Sequence, residues 1–273
     1  MKGLLIVGAL SFAFLFRIAA SNEFHRIING EYAEKPIPYQ VYYEGLELSN
    51  LEAPSLWRIF CGGTLISKRI ILTAAHCLDE PNLHAIRIFF GALYSNDTFE
   101  PGKKRLIVKR KDIVIHEDWY KPLAYNDIAL IKLPIDVNFN EYIQPAKLPS
   151  PTATYNGSLA TASGWGKNEF KVLSTHLKYF DVSIISNDEC SVLIAKPYKI
   201  NPSSYICIGP SNNSPCQGDS GGPLIVKNDK DSVLVGITSY GNADCSLGYP
   251  TVYTRVSSYL DWIRKNAGKH NLN

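Results

Sequence analysis

Three residues of the chain are of types that together could activate a nucleophile. Ser220 lies between glycines and behind a carboxylate in the stretch from Gly218 to Pro223, and His76 and Asp127 stand upstream of it. A serine hydroxyl is a weak nucleophile at neutral pH, so it needs a neighbouring base, and that base needs a third group to fix its tautomer. Ser220, His76 and Asp127 could supply these three roles.

The apolar runs that must position these residues are short and rich in β-branched side chains. They alternate with clusters of Gly, Pro, Asn and Asp without a long helical period, which predicts an all-β fold of antiparallel sandwich or paired-barrel type. The proline-containing stretch 140–157 is expected to connect two halves. The predicted strands cover residues 69–73, 86–90, 106–108, 113–115, 128–133, 177–185, 223–226 and 233–239.

One helix is predicted, near the C-terminus. Ser258 with Asp261 three residues later resembles a capping box, which places the helix at about 258–267. We expect this helix to pack on a barrel through the apolar face formed by Tyr259, Trp262 and Ile263.

The N-terminus has the order of a secretory signal. Lys2 precedes an uninterrupted apolar run from Leu4 to Phe16, and small residues follow. Arg17 ends this run short of the roughly 20 residues that a bilayer span needs. We therefore expect a signal peptide over residues 1–20 and a secreted, extracellular protein. An uncleaved signal anchor is the alternative.

Composition and charge restrict the partners. The 273 residues are 45% hydrophobic and 19% charged, which excludes a disordered or collagen-like chain. Lys+Arg 28 against Asp+Glu 25 gives a formal net charge of +3, and the basic run Lys109-Arg110-Lys111 is better explained as a solvated strand end than as a nucleic-acid patch. Neither nucleic acid nor a membrane is an expected partner.

Export would permit disulfides among the six cysteines, whose spacing leaves all 15 pairings open. No Cys-x-x-Cys pair favours a zinc cluster, and Asp97 with Glu100 is better explained as a polar turn than as a calcium loop. Neither a metal nor a cofactor is therefore expected. Asn96 and Asn156 begin candidate glycosylation sequons. The cysteines are Cys61, Cys77, Cys190, Cys207, Cys216 and Cys245.

The surroundings of the three reactive residues resemble those of one enzyme family. The residues occur in the order His, Asp, Ser, which is the order of chymotrypsin and differs from that of subtilisin and the α/β-hydrolases. From Ile27 to about Gly268 the chain resembles the chymotrypsin-like (trypsin-like) serine proteases. The motifs that carry the resemblance are Thr73-Ala74-Ala75-His76-Cys77, Asp127-Ile128-Ala129-Leu130, Gly218-Asp219-Ser220-Gly221-Gly222-Pro223, Cys61-Gly62-Gly63-Thr64-Leu65-Ile66, Ser163-Gly164-Trp165-Gly166 and Ser239-Tyr240-Gly241.

The resemblance implies a fold and a catalytic mechanism. The peptidase domain, 27–273, would contain two antiparallel six-stranded β-barrels, the first at about 27–145 and the second at about 146–256, followed by the helix. Ser220 would attack the scissile carbonyl, His76 would take and return its proton, and Asp127 would hold the imidazole. The backbone N–H groups of Gly218 and Ser220 would form the oxyanion hole. Ser239 would donate a hydrogen bond to Asp127.

The resemblance also implies a zymogen. Cleavage after Arg26 would remove a propeptide of residues 21–26 and free the amino group of Ile27, which would pair with Asp219 beside the nucleophile. In the same family the disulfides would join Cys61 to Cys77, Cys190 to Cys207 and Cys216 to Cys245.

The preferred substrate residue before the scissile bond is expected to be uncharged. By the resemblance, Ser214 lies at the base of the primary specificity pocket, where trypsin-like members carry an Asp, and Gly241 and Thr251 form its walls. A serine offers no charge to offset desolvation of an Arg or Lys, and the branched Thr251 should shorten or narrow the pocket. Ser239 and Tyr240 would border the substrate. A chymotrypsin-like preference is predicted, with an elastase-like preference for small residues as the alternative.

The expected partners follow from this reading. They are protein or peptide substrates, a trypsin-like activating protease and protein protease inhibitors, and the protein is expected to be a monomer. A rival hypothesis is a catalytically inactive homologue that serves as a binding module. An intact His76, Asp127 and Ser220 argues against that rival, because such homologues usually lose one of the three.

Overall fold

Two antiparallel sheets follow one another along the chain in a computed structural model, which describes residues 27–47, 57–168, 170–194, 203–268 and 272. The predicted signal peptide and propeptide, 1–26, lie outside the described residues. Strands β1 to β8 are Glu31–Tyr32, Gln40–Glu47, Trp57–Leu65, Ile70–Thr73, Leu83–Phe90, Lys104–Lys109, Ile113–Ile115 and Ala129–Lys132. Strands β9 to β14 are Leu159–Gly164, Lys178–Ile185, Tyr205–Ile208, Pro223–Lys227, Ser232–Tyr240 and Thr251–Arg255.

The first sheet has the order β6-β5-β2-β3-β4-β8-β7. In β5 the side chains of Leu83, Ile86, Ile88 and Phe90 are buried, while the residues between them are more exposed. This alternation turns one face of the strand toward a core. Within the described residues the order does not close on itself, so the sheet forms a half-barrel.

The second sheet closes. Its order is β1-β10-β11-β14-β13-β12-β9, and a further pairing of β9 with β10 completes a ring of six strands. The short strand β1 adds to the outside of this ring, pairing Glu31 with Tyr179 and Tyr32 with Lys178. Glu31 and Tyr32, which the sequence assigns to the first barrel, therefore pair with the second. The prediction of an all-β fold with two antiparallel barrel-like sheets is confirmed.

The described residues contain two α-helices, α1 at Asn187–Ile194 and α2 at Leu260–Ala267. The helix α2 was predicted, but not its start: Ser258 lies in a 3-10 turn and its hydroxyl donates to the carbonyl of Ser203. The helix α1 was missed, although Ser186 and Glu189 have the spacing of a capping box, and the Glu189 amide donates to Ser186 Oγ at 3.1 Å. Among the described residues, neither helix is long and apolar enough to cross a membrane.

One hydrophobic core extends across both sheets. The cluster built on first-sheet residues such as Leu72 and Ile131 also contains Ile225, Leu234 and Ile263 from the second sheet and α2. Three disulfides join the cysteines in the pairs that the resemblance implied. The first, Cys61–Cys77, ties β3 to the 3-10 turn Ala75–Cys77, which carries His76.

Candidate active site

His76 and Asp127 are locked together by two hydrogen bonds. The main-chain N–H of His76 donates to Asp127 Oδ1 at 2.9 Å, and His76 Nδ1 lies 2.8 Å from Asp127 Oδ2. The Asp127 side chain is 0% exposed, whereas that of His76 is 29% exposed. A buried carboxylate thus fixes the Nδ1–H tautomer of a histidine whose other face is open to solvent, and Nε2 is left to act as a base.

The second sheet supplies further donors to Asp127. Ser239 Oγ, at the end of β13, donates a short hydrogen bond to Asp127 Oδ2, as the sequence predicted. Thr254 Oγ1, from β14, donates to the Asp127 main-chain oxygen at 2.7 Å. Because a buried carboxylate is costly unless its lone pairs are satisfied, the Ser239 donor helps to hold the Asp127 side chain in place, while Thr254 fixes the Asp127 main chain.

Ser220 reaches the same place through the main chain. Its carbonyl accepts a hydrogen bond from Gly62 N at 2.8 Å, and Gly62 follows Cys61, whose disulfide leads to Cys77 beside His76. Gly221 N donates to Thr238 O, one residue before Ser239. Two short covalent and hydrogen-bonded routes therefore connect the Ser220 segment to His76 and Asp127.

Ser220 Oγ itself makes no hydrogen bond to His76 Nε2 within the described part of the chain; Nε2 lies 3.7 Å from Cys77 Sγ. Catalytic hydrogen bonds are commonly long before substrate binds and tighten in the complex. The half-buried Ser220 is thus held through its main chain to Gly62 without a hydrogen bond from its hydroxyl to His76.

The loop before Ser220 leaves two amides without a main-chain acceptor in the described part of the chain. Gly218 has a φ of +102°, a conformation that favours glycine, and a Cβ there would lie 2.8 Å from Leu173 and 3.1 Å from Gly166. In the described residues the N–H groups of Gly218 and Ser220 donate to no main-chain carbonyl, whereas their neighbours Asp219 and Gly221 do. This leaves two donors free for an oxyanion.

Asp219 is buried directly behind the nucleophile and is 3% exposed. Its carboxylate accepts hydrogen bonds from Gly166 N at 2.7 Å and Cys216 N at 2.9 Å. A Cβ at Gly164 or Gly166 would collide with this carboxylate, so the glycines of the Ser163–Gly166 motif make room for it. Burial raises the pKa of Asp219 to about 6. The two amide hydrogen bonds lower this pKa but offset only part of the effect of burial.

Known proteins agree with this geometry. The trypsin family model matches residues 28–263. The chain belongs to the trypsin family of serine proteases. It is 33% identical to chymotrypsin-2 of Vespa crabro, over 84% of this chain and 94% of that protein, and 35% identical to a collagenase of Hypoderma lineatum, over 89% of this chain and 88% of that protein. The solved structure of HL collagenase matches with a TM-score of 0.74 at 33% identity, over 88% of this chain and 98% of that one.

Family membership settles the class of reaction. A serine protease of this family hydrolyses peptide bonds, and the chain is a serine endopeptidase. Brachyurin of Leptuca pugilator is also similar, at 37% identity over 77% of this chain and 88% of that protein. Membership does not by itself fix the substrate, since relatives of comparable identity carry the different names chymotrypsin, collagenase and brachyurin.

The predicted pocket residues lie in two places. Gly241 faces Thr251: a Cβ at Gly241 would lie 3.4 Å from Thr251 Oγ1, and Thr251 is buried. Ser214 is buried as well, its hydroxyl donates to Pro215 O at 3.0 Å, and its main chain pairs with that of Ile28. Tyr240 packs edge-on against Tyr205, with ring centroids 6.1 Å apart.

The loop that contains Asp97 and Glu100 is closed by a cation of the chain itself. Lys103 Nζ donates to Tyr94 O at 2.6 Å and to Asp97 O, and lies 3.5 Å from Glu100 Oε2. Burial lowers the pKa of Lys103. In the part of the chain that the structure describes, the one dense cluster of potential metal ligands is His76 with Cys61 and Cys77, whose sulfurs are joined to each other.

Several residues that hold the site were missed from the sequence. Thr254, in β14, is one of them. Asn126 precedes Asp127 with a φ of +55°, and its Oδ1 accepts a hydrogen bond from Tyr259 OH at 3.0 Å. A residue type does not indicate such long-range partners, because the bonded residues lie more than 100 positions apart.

Proposed function

We propose that Ser220, His76 and Asp127 form the catalytic triad of this endopeptidase. The Ser220 Oγ–C bond forms as the hydroxyl proton passes to His76 Nε2; the C–N bond then breaks as the amine takes that proton. Water hydrolyses the acyl-enzyme by the same route. The observation that carries the proposal is the pair of hydrogen bonds that fixes His76 on the fully buried Asp127.

The oxyanion hole of the proposal consists of the Gly218 and Ser220 amides. Two N–H groups without a main-chain acceptor, on a loop held by the Cys216–Cys245 disulfide, support this assignment. Donors of this kind are aimed at charge that develops only in the transition state, and losing one typically costs on the order of 10²-fold in rate.

Substitution and labelling test the triad. We expect Ser220→Ala to abolish labelling by an organophosphate and to lower kcat by roughly 10⁴-fold or more, and Asp127→Asn to lower kcat by roughly 10⁴-fold. The matched control is Ser183→Ala, an exposed serine on β10 that has no role in the proposed proton transfer or in the pocket. Full activity of Ser220→Ala at unchanged protein purity would contradict the assignment.

We infer a preference for an uncharged hydrophobic residue before the scissile bond. Ser214 provides no carboxylate for a cation, and the close approach of Thr251 to Gly241 supports a pocket too narrow for the largest aromatic side chains. Leu and Met fit these limits best. An elastase-like preference for small residues is the alternative. It requires the Thr251 methyl to occupy so much of the pocket that Leu and Met no longer fit.

A peptide library distinguishes these preferences. We expect cleavage after Leu and Met, weaker cleavage after Phe and Tyr, and little after Arg or Lys. Thr251→Gly should raise kcat/KM for Phe relative to Leu by about tenfold, since a methylene-sized change in a pocket is worth roughly 1–3 kcal/mol. Dominant cleavage after Arg or Lys in the unmodified protein would refute the inference.

We further propose that the chain is a zymogen cut after Arg26. Two features of the uncut chain support this. The carboxylate of Asp219 is buried with amide donors alone, and Ile27, which is 1% exposed, has a φ of +47°, a conformation rare for a β-branched residue and costing roughly 1–3 kcal/mol. Cleavage removes the carbonyl that defines this torsion and creates an amino group that can pair with Asp219.

The segment after the cut is already docked on the Ser220 loop. Asn29 Nδ2 donates to Asn212 O at 2.7 Å, and Asn213 Nδ2 donates to Asn29 O at 2.8 Å. We expect Arg26→Gln to give a secreted precursor with little activity, and Arg26→Lys, which keeps a basic residue for a trypsin-like activator, to remain activatable. An Arg26→Gln protein as active as the processed enzyme would overturn this proposal.

The remaining assignments belong to the same proposal. Residues 1–20 would be a signal peptide and 21–26 the propeptide, and Asn96 and Asn156, both exposed, would carry glycans in the secretory pathway. N-terminal sequencing of the secreted protein, with peptide mass mapping before and after glycosidase, tests them together. The partners would be protein substrates, an activating trypsin-like protease and protein inhibitors of a monomeric enzyme.

A further inference from the structure

Strand β6 and the residues on either side of it carry a dense group of basic residues that the proposed active site does not use. Six of the nine residues from 103 to 111 are Lys or Arg, and none is acidic. Five of the six have exposed side chains, and we call them the basic edge: Lys104, Arg105, Lys109, Arg110 and Lys111. Among the described residues, the only ion pair of the basic edge joins Lys111 to Asp112 at 3.7 Å.

The basic edge lies at the border of the first sheet. Lys104–Lys109 pairs with β5 on one side, from Phe90↔Lys104 to Ala85↔Lys109, and no other strand of the described residues pairs with its second side. A border strand presents a row of main-chain N–H and C=O groups that can pair with another extended segment. The basic edge is therefore both a charged surface and an incomplete ladder.

On the outer face of β6 two basic side chains flank an apolar one. Arg105, Ile107 and Lys109 lie on one face of the strand, about 6.7 Å apart, since each residue advances about 3.3–3.4 Å. Ile107 is 55% exposed, and Val108, on the opposite face, is buried. This face offers cation, apolar contact and cation in the register of an extended polypeptide.

These features select the class of partner. A second copy of this chain would bring the same cations opposite each other, and like charges facing each other across a pair of strands are destabilising. Nucleic acids and sulfated polysaccharides would satisfy the charge, but they have no peptide groups to complete the ladder or apolar side chain to cover Ile107. We propose that the free side of β6 binds an extended acidic peptide segment of a partner protein as an added strand.

Binding of a synthetic peptide tests the proposal without relying on catalysis. The probe is a fluorescent ten-residue peptide with Glu at alternate positions, Thr between them and one central Val. It is measured by anisotropy on the secreted protein carrying Ser220→Ala, so that the probe stays intact. We expect saturable binding that weakens strongly between 50 and 300 mM salt, because exposed charges are screened over about 10 Å at 0.1 M salt.

Two triple variants distinguish binding at the basic edge from a general effect of the protein's net charge. Lys104→Gln with Arg105→Gln and Lys109→Gln should weaken Kd by about tenfold or more. The matched control replaces three exposed lysines elsewhere, Lys147, Lys227 and Lys230, by Gln and should leave Kd within about twofold. Equal effects of the two triples would show that only overall charge matters and would overturn the proposal.

Peptide chemistry separates strand addition from simple charge attraction. The same probe with alternate amides N-methylated keeps its charges but loses the donors of one edge, and we expect one of the two methylation registers to weaken binding by about tenfold or more. Unchanged binding of both methylated probes would reject strand addition. Tight, edge-dependent binding of a heparin fragment with no binding of the acidic peptide would assign the surface to polysaccharide and overturn the proposal as well.

Discussion

Asp219 is the buried acid on which the proposed cleavage after Arg26 would act. In the uncut chain burial raises its pKa from 3.8 to about 6, because two amide hydrogen bonds only partly replace water. An acid whose pKa is higher in the folded state contributes stability that is full below pH 3.8 and is lost as pH rises through about 6. A new amino group at Ile27 would reverse this trend by favouring the ionised carboxylate.

This gives a prediction for the precursor. Between pH 4 and pH 7 the free energy of unfolding of Arg26→Gln should fall by about 3 kcal/mol more than that of Arg26→Gln with Asp219→Asn, since about two pKa units correspond to roughly 3 kcal/mol. Urea titrations at several pH values measure the difference. Parallel pH profiles for the two proteins would show that Asp219 ionises without cost in the precursor.

For single residues, the sequence predicted which side chains belong to the candidate site better than it predicted their hydrogen-bond partners. His76, Asp127 and Ser220 stand in distinctive motifs, and the bond from Ser239 to Asp127 followed from the family resemblance. The ammonium of Lys103 inside its loop was not foreseen, because a basic residue in a polar turn looks solvated in sequence. Its contacts depend on how the loop folds back on itself.

The strands also divide into those that the sequence predicts and those that it does not. The eight predicted strands are all present, as β4 to β8, β10, β12 and β13, since each is a run of β-branched and aliphatic residues. Strand β9, by contrast, consists mainly of small and polar residues, with Ala160, Ala162 and Gly164 among them. Its pairing with both β10 and β12 comes from tertiary packing rather than from β propensity.

The 3-10 turn before α2 is hydrogen-bonded to the residue that precedes Asp127 of the proposed triad. Tyr259, just before α2, donates to Asn126 Oδ1, and Asn126 holds a φ of +55° immediately before Asp127. Asn126 Nδ2 donates in turn to Asp118 O at 2.8 Å. The start of the C-terminal helix is thus connected by one hydrogen bond to the residue that aims the Asp127 carboxylate.

We predict that Tyr259→Phe lowers kcat several-fold with little change in KM, because a less fixed Asp127 orients His76 poorly while the pocket stays intact. The loss of stability should be about 1 kcal/mol, as for one hydrogen bond. Steady-state kinetics across pH 5–9 provide the measurement, and Tyr179→Phe, whose hydroxyl bonds Glu31 on the surface, is the control. A rise in KM at constant kcat would place Tyr259 in substrate binding instead.

The molecule as a whole is joined across its two sheets by polar as well as apolar contacts. Ser163 Oγ donates to Gln40 Oε1 at 2.6 Å, and Trp165 Nε1 donates to Leu93 O at 3.2 Å. The ring of Trp165 also packs edge-on against Tyr42 of β2 at 4.9 Å. Since the proposed catalytic residues come from both sheets, any separation of the sheets would separate Ser220 from His76 and Asp127.

We therefore predict that the two sheets unfold together. Leu72→Ala in the first sheet and Leu224→Ala in the second should each lower the free energy of unfolding by about 2–5 kcal/mol, the usual cost of removing a buried leucine. With 5-fluorotryptophan incorporated, the NMR signals of Trp119 and Trp165 should disappear at one common urea concentration, which each substitution lowers for both signals. If Leu224→Ala moved the Trp165 transition and left that of Trp119 unchanged, the sheets would be independent folding units. The shared core that contains Leu72, Ile225 and Leu234 argues that they are not.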